Sequence, residues 1–174
     1  YIFFAFKGNN TDGNFFINDA IKNGSKIIIT DKFKINGWKN NILFLNNINP
    51  RNLLAKFSSK IFNKKPNNLI GVTGTNGKSS IANFYFQILT LNRIKVASIG
   101  TLGVTGLKVS ENFSNTTFDT IQINKILKKL KERRIENVIL EASSHGLNQN
   151  RLDGLEFDIG IFTNLTRDHL DYHK

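Results

Sequence analysis

The stretch "NNLIGVTGTNGKSS" (residues 67–80) decides how this chain is read. An apolar run enters a loop with glycines at 71, 74 and 77, and the loop closes on Lys78-Ser79. A strand that passes through such a loop into a helix aims several backbone N–H groups and a helix N-terminus at one point, which suits an anion. There Lys78 would reach the outer phosphates of a nucleotide and the Ser79 hydroxyl would sit on Mg²⁺. The glycines are nevertheless out of register. The strict pattern G-x-x-x-x-G-K-[ST] places its first glycine at position 72, where this chain has Val72.

Working outward, strands and helices alternate. "YIFFAF", "KIIIT" and "NILFL" read as strands, "NFFINDAIKNG" as a short helix closed by Gly24, and "NPRNLLAKFSSKIF" as a helix with Asn49 as cap and Pro50 at its first position. After the polar "NKKPNN" (63–68), taken as a linker, come strand "LIGVTG" and a helix from Lys78 with Ile81, Phe84, Tyr85, Ile88 and Leu89 as its apolar face. Strand "KVASIG", an irregular stretch from Gly103 to Thr117, a helix from about Asp119 to Arg134, strand "NVILEA", a loop with "GLNQNRLDG" and strand "FDIGIFTNL" complete the series. Strands separated by helices predict parallel sheets with crossover connections. The expected fold class is α/β. Two units are predicted, residues 1–65 and 66–174, the second a phosphate-loop ATPase domain with a mainly parallel sheet.

Composition narrows the function classes. With 174 residues, 40% of them hydrophobic and 15 of them Phe, the chain has ample material for buried cores. No apolar run approaches a membrane span and no signal peptide is recognisable, so no membrane partner is expected. The absence of Cys rules out disulfides and thiolate metal sites. The absence of Met, with an opening on "YIFFAFKG", reads as a piece cut in mid-domain. A net charge of +11 invites a nucleic-acid reading, but the excess is diffuse. Its one dense run, "KILKKLKERR" (125–134), interleaves Ile126, Leu127 and Leu130 at helical spacing, so its cations fit a solvated helix face. Without an aromatic platform or a focused patch, no nucleic-acid partner is expected.

A phosphate loop needs an acidic partner across the sheet. Glu141 ends the apolar strand "NVILE", and strand C-terminal ends are where ligands collect in open α/β sheets. A carboxylate there can hold Mg²⁺, which prefers oxygen ligands. The three histidines are His145, His169 and His173. The last two are one helical turn apart, but no third zinc ligand accompanies them and Leu170 replaces the Glu of H-E-x-x-H. A place near the Mg²⁺–phosphate centre suits His169 better, and a surface or packing role suits His173.

Taken together, "GVTGTNGKSS", "NTTFDT", "EASSHGLNQNR" and "FTNLTRDHLDYH" resemble the Mur ligases of the MurE type. The family's loop reads G-x-T-G-T-N-G-K-[TS], so the off-register glycine is its norm. "GTNGK" alone is shared with folylpolyglutamate synthases and the other Mur ligases, so a ligase of either kind stays open as an alternative, as does a non-catalytic nucleotide-binding fragment. The resemblance implies a cytoplasmic, monomeric, ATP- and Mg²⁺-dependent ligase of peptidoglycan precursor synthesis. It would add a third amino acid, diaminopimelate or lysine, to UDP-N-acetylmuramoyl-L-alanyl-D-glutamate through an acyl phosphate.

Carried over residue by residue, Gly74, Thr75, Asn76, Gly77, Lys78, Ser79 and Ser80 match the ATP loop. Asn115, Thr116, Thr117, Ser143, Gln149 and Arg151 match contacts to the nucleotide-sugar peptide, and Asn9, Asn10 and Thr11 a stretch that touches the uridine nucleotide. Glu141 and His169, with Ser79, match the metal positions, and Lys78, Glu141 and His169 the catalytic ones. Arg151 could grip a carboxylate or pyrophosphate as a fork, and the helix from Asp119 would turn its positive end to an anionic ligand. Phe118 and Asn150 depart from the family pattern without removing a polar contact. The resemblance also implies a partial uridine-nucleotide-binding domain over 1–65 and only the first part of the central domain over 66–174. The lysine to be carbamylated, which Lys174 precedes, and the amino-acid-selecting domain would lie outside the chain.

Overall fold

The computed structural model describes residues 1–8, 11–32, 36–106 and 116–167, arranged as two compact units, Tyr1–Phe57 and Ser58–Lys174. The chain runs β1 (Ile2–Ala5), a 3-10 turn (Gly13–Phe16), α1 (Ile17–Lys22), β2 (Ile27–Thr30), β3 (Gly37–Lys39), β4 (Ile42–Asn46) and α2 (Pro50–Ile61). It continues with β5 (Asn68–Thr73), α3 (Lys78–Leu91), β6 (Val96–Gly100), β7 (Gly103–Thr105), α4 (Thr120–Glu132), β8 (Asn137–Glu141), α5 (Ser144–Asn148) and β9 (Ile159–Phe162). The α/β class and mainly parallel sheets follow the sequence expectation.

In the first unit the sheet order is β1-β2-β4-β3, with β1, β2 and β4 parallel. Ala5, Ile17, Ile28 and Ile42 form its core. β3 is an element the sequence reading lacks. It pairs antiparallel with β4 through a two-residue turn at Asn40 and Asn41, both at positive φ (49° and 63°). Asn tolerates that left-handed conformation, and two such residues in a row give the tight turn whose twist matches a hairpin.

The second unit holds the order β7-β6-β8-β5-β9. β6, β8, β5 and β9 are parallel, and β7 is an antiparallel edge. Its faces separate by alternation along the strands. Leu69, Val138 and Leu140 turn toward Ile123, Leu127 and Leu130 of α4, whereas Ile70, Val72 and Ile139 turn toward Ala82 of α3. A sheet with helices on both faces explains the near-continuous apolar strands.

Several local expectations are corrected. Gly103–Thr105, read as irregular, is β7, and Ser144–Asn148, read as loop, is α5. On α3, Phe84 and Ile88 are more than half exposed, and the contact face is Ala82 with Ile81 and Tyr85. Apolar residues surround α3, so their spacing does not select a face; the small Ala82 does, by letting the helix approach the sheet. The polar stretch 63–68 is tied down: Asn67 N–H donates to Glu136 (3.0 Å) and Asn68 N–H to the Glu136 carbonyl (2.9 Å). The basic run of α4 behaves as expected. Lys125 and Lys129 are exposed while Ile126, Leu127 and Leu130 are buried. Phe118, the departure from the family pattern, is a buried member of the main core.

Candidate functional site

The C-terminal tips of β5, β6, β8 and β9 lie side by side, as their parallel registers require. The loop after β5 enters α3 through Gly77, the helix cap, whose φ of +87° favours glycine. The Lys78 ammonium folds back over this loop and donates to the carbonyls of Gly74 (2.6 Å) and Thr75 (2.9 Å). Lys78 is thereby stretched across the mouth where an anion would sit.

Beside it, Ser79 Oγ donates to Glu141 Oε2 at 2.7 Å, which joins two of the three predicted metal positions. Glu141 is only 2% exposed. Its other donors come from Thr101: the backbone N–H to Oε1 (3.2 Å) and the hydroxyl to Oε2 (3.1 Å). A buried carboxylate held by neutral donors, with no ion pair to it among the described residues, favours a cation nearby. A cavity of about 10 Å³ borders Ser79, Asn83, Gly100 and Glu141, room for about one water-sized sphere. Oxygen donors of this kind are those a hard cation such as Mg²⁺ takes, so the residues present fit such an ion. No cluster of three or more His, Asp or Glu side chains with metal-binding geometry occurs among the described residues. Two protein oxygens with water and phosphate as further ligands is the usual Mg²⁺ arrangement.

A larger cleft, about 170 Å³, runs between Gly74, Thr75 and Lys78 on one side and Ser143, Ser144 and Leu147 on the other. Ser143 caps α5, accepting from Gly146 N–H (3.1 Å). Thr117 is 2% exposed, and its hydroxyl is engaged with the Glu141 carbonyl, Ser143 N–H and Ser143 Oγ, each at 2.9 Å. It therefore fastens the Glu141–Ser143 backbone rather than presenting its hydroxyl to the cleft. The Thr116 and Thr101 hydroxyls lie within hydrogen-bond distance of each other (3.2 Å). The Arg151 fork donates to Gln149 Oε1 (3.2 and 2.8 Å) and to the Thr117 carbonyl. The positive end of α4 is closed by the chain's own anion, since Asp119 accepts from the N–H groups of Ile121 and Gln122, both 2.9 Å. This corrects the expectation that it faces an anionic ligand.

Asn76 and Gly77 are exposed on the loop, and Ser80 is exposed in the first turn of α3. Thr11 lies in the first unit, its carbonyl accepting from Gly8 N–H (2.7 Å). Asn9, Asn10, Asn115, His169 and His173 lie outside the described residues. Sequence reasoning missed Thr101 and Gly100, which meet Glu141, and Thr163, Asn164 and Thr166, which meet the loop after β5. The position of Thr101 just past a parallel strand tip was the available signal.

The comparisons agree with this geometry. Residues 72–174 match the family model described as Mur ligase middle domain. The chain is 44% identical to a UDP-N-acetylmuramoyl-L-alanyl-D-glutamate–2,6-diaminopimelate ligase of Rickettsia montanensis, over 99% of this chain and 36% of that protein. It is 39% identical to the protein of the same name from Brucella melitensis, over 99% and 35%. A solved structure bearing that enzyme name superposes with a TM-score of 0.77 at 30% identity, covering 99% of this chain and 35% of the other. The MurF ligase of Thermotoga maritima, solved with ADP, shares the fold at 21% identity and a TM-score of 0.58, covering 98% and 36%. The chain thus spans about a third of the length of the curated relatives it matches. It belongs to the Mur ligase family, with its middle domain over residues 72–174.

Proposed function

We propose that this chain carries the nucleotide-binding part of an ATP-dependent ligase that adds 2,6-diaminopimelate to UDP-N-acetylmuramoyl-L-alanyl-D-glutamate, a cytoplasmic step of peptidoglycan precursor synthesis. The carrying observation is the buried Glu141 carboxylate, bonded to Ser79 beside Lys78 at the tips of a parallel sheet. The names of the relatives support the substrate and the amino acid.

In this reading the loop 74–80 receives the phosphates. Lys78, already directed over the loop, places its charge on the terminal phosphate, and Ser79 and Glu141 hold Mg²⁺. When bound, the ion would neutralise the charge that builds on the phosphoryl group as it passes to the substrate carboxylate. ADP is the leaving group of that step, and the amine of the incoming amino acid would then attack the acyl phosphate, forming the amide as inorganic phosphate is expelled and the amine loses a proton. The chain's residues contribute positioning and fixed charge, the main demands of phosphoryl transfer. Thr116, Ser143, Gln149 and Arg151, with Asn115, are assigned to the nucleotide-sugar peptide. Thr117 supports them from below. Asn9, Asn10 and Thr11, in a uridine-nucleotide-binding domain over 1–65, are assigned to the uridine nucleotide, and His169 to a second Mg²⁺ with a catalytic role. The enzyme is taken to act as a monomer.

The test is phosphate release from ATP with the UDP-linked dipeptide and either 2,6-diaminopimelate or lysine, measured on the protein at the full length of its relatives. Release dependent on diaminopimelate is expected, with Lys78→Ala reducing it by about a hundredfold or more while the fold survives. Near-normal turnover in Lys78→Ala would remove Lys78 from the mechanism, and release without any amino acid dependence would remove the ligase reading.

A further inference from the structure

The loop after β5 is held from outside as well as by Lys78. Six hydrogen bonds tie Thr75 and Asn76 to the segment that follows β9. Thr75 N–H donates to the Asn164 carbonyl (2.9 Å), and the Thr75 hydroxyl donates to the Thr166 carbonyl (3.3 Å) while accepting from Thr166 N–H (3.0 Å). The Asn164 side chain grips the Asn76 backbone at both ends, its Oδ1 accepting from Asn76 N–H (3.0 Å) and its Nδ2 donating to the Asn76 carbonyl (3.1 Å). Thr163 Oγ1 donates to that same carbonyl at 2.7 Å. Gly74 is what allows the approach. A Cβ there would fall 2.1 Å from Thr163 Oγ1 and 2.8 Å from the Asn164 carbonyl, and its φ is +129°.

We infer that Asn164 is a positioning residue for phosphate binding, and that the segment 163–166 is a latch selecting which loop amides face the anion. Thr75 and Asn76 have their N–H groups spent on the latch. The amides left to meet phosphate are those from Gly77 onward, in the first turn of α3, where the helix dipole adds to them. The displaced glycine has its reason here. A Gly at 74 rather than 72 is required where a second strand-end segment packs against the loop. The inference rests on the nucleotide reading above for its functional consequence, but the latch itself does not.

The test has two arms on the purified chain. Amide hydrogen exchange without nucleotide should show Asn76 N–H protected in the wild type and fast in Asn164→Ala, with the β5 amides protected in both. Titration with a fluorescent ATP analogue and Mg²⁺ should show affinity falling about tenfold in Asn164→Ala, the loss expected when a loop is no longer held for an anion. Asn164→Asp keeps the acceptor for Asn76 N–H and loses the donor, so it should retain part of the exchange protection; it serves also if the alanine variant fails to fold. Unchanged protection of Asn76 in these variants, or wild-type affinity with the protection lost, overturns the inference. A wild type that shows no affinity for the analogue defeats the nucleotide reading instead, while the exchange arm still decides whether the latch exists.

Discussion

A methyl group at Gly100 would land 2.1 Å from Oε1 of Glu141. No flexible tail is available to yield there, because that carboxylate is buried and held by Ser79 and Thr101. Gly100→Ala should therefore destabilise the protein by about 1–3 kcal/mol, the usual cost of overpacking, read as a lower urea midpoint. Thr101→Val deletes the hydroxyl and leaves its N–H in place, so one donor to a buried carboxylate is lost. A cost of about 1–3 kcal/mol is expected, with Thr101→Ser close to wild type; equal stability of the valine and serine variants would show that the hydroxyl does not hold Glu141. Lys78, Ser79 and Glu141 were legible in the sequence because a short motif and a strand end announce them. Thr101 was missed, since its place just past a strand tip is a weak signal and its partner lies 40 positions away. The same holds for Asn164 and Asn76, 88 positions apart.

At the scale of elements, capping and charge carry the sharpest expectations. Asp119 closes the N-terminus of α4 with two accepted N–H bonds, so Asp119→Ala should cost about 1 kcal/mol, measurable in urea unfolding. In the first unit, Asp12 takes hydrogen bonds from Lys32 and from the backbone and side chain of Asn14. These hold its carboxyl at about 2, below the ordinary 3.8, with the Lys32 contact the largest cause. A folded pKa below the unfolded one means this stabilisation is complete above the unfolded pKa. It is lost as pH falls from 3.8 through about 2. Stability measured across that window should fall less steeply in Asp12→Asn than in the wild type; identical slopes would show that the carboxylate is not held in this way. Long elements with turn or cap signals were readable from sequence: Asn49, whose Oδ1 accepts from Asn52 N–H (3.0 Å), is one. β3 and β7 were not, because three-residue strands are too short to show a period. The exposed face of α3, with Phe84 and Ile88, was misread because its apolar residues encircle the helix.

At the scale of the whole molecule, each compact unit has its own core, and the second joins the layers around the site. Leu127, fully buried against the strands whose tips carry Glu141, should lose about 2–5 kcal/mol on truncation to Ala; a smaller loss would mean that α4 is not anchored to the sheet as its packing implies. The α/β architecture was legible because strands and helices alternate along the chain, and the site because parallel strands must end together. The latch was beyond reach, since it depends on where two separate strand ends bring their loops. The central claim is that Glu141 and Ser79, beside Lys78, form the metal-assisted phosphate site. It is tested most directly by the Mg²⁺ dependence of ATP-analogue affinity in the wild type and in Glu141→Gln. Chelating Mg²⁺ should weaken binding by about tenfold or more in the wild type and have little effect in Glu141→Gln. An equal response to Mg²⁺ in the two proteins would contradict it.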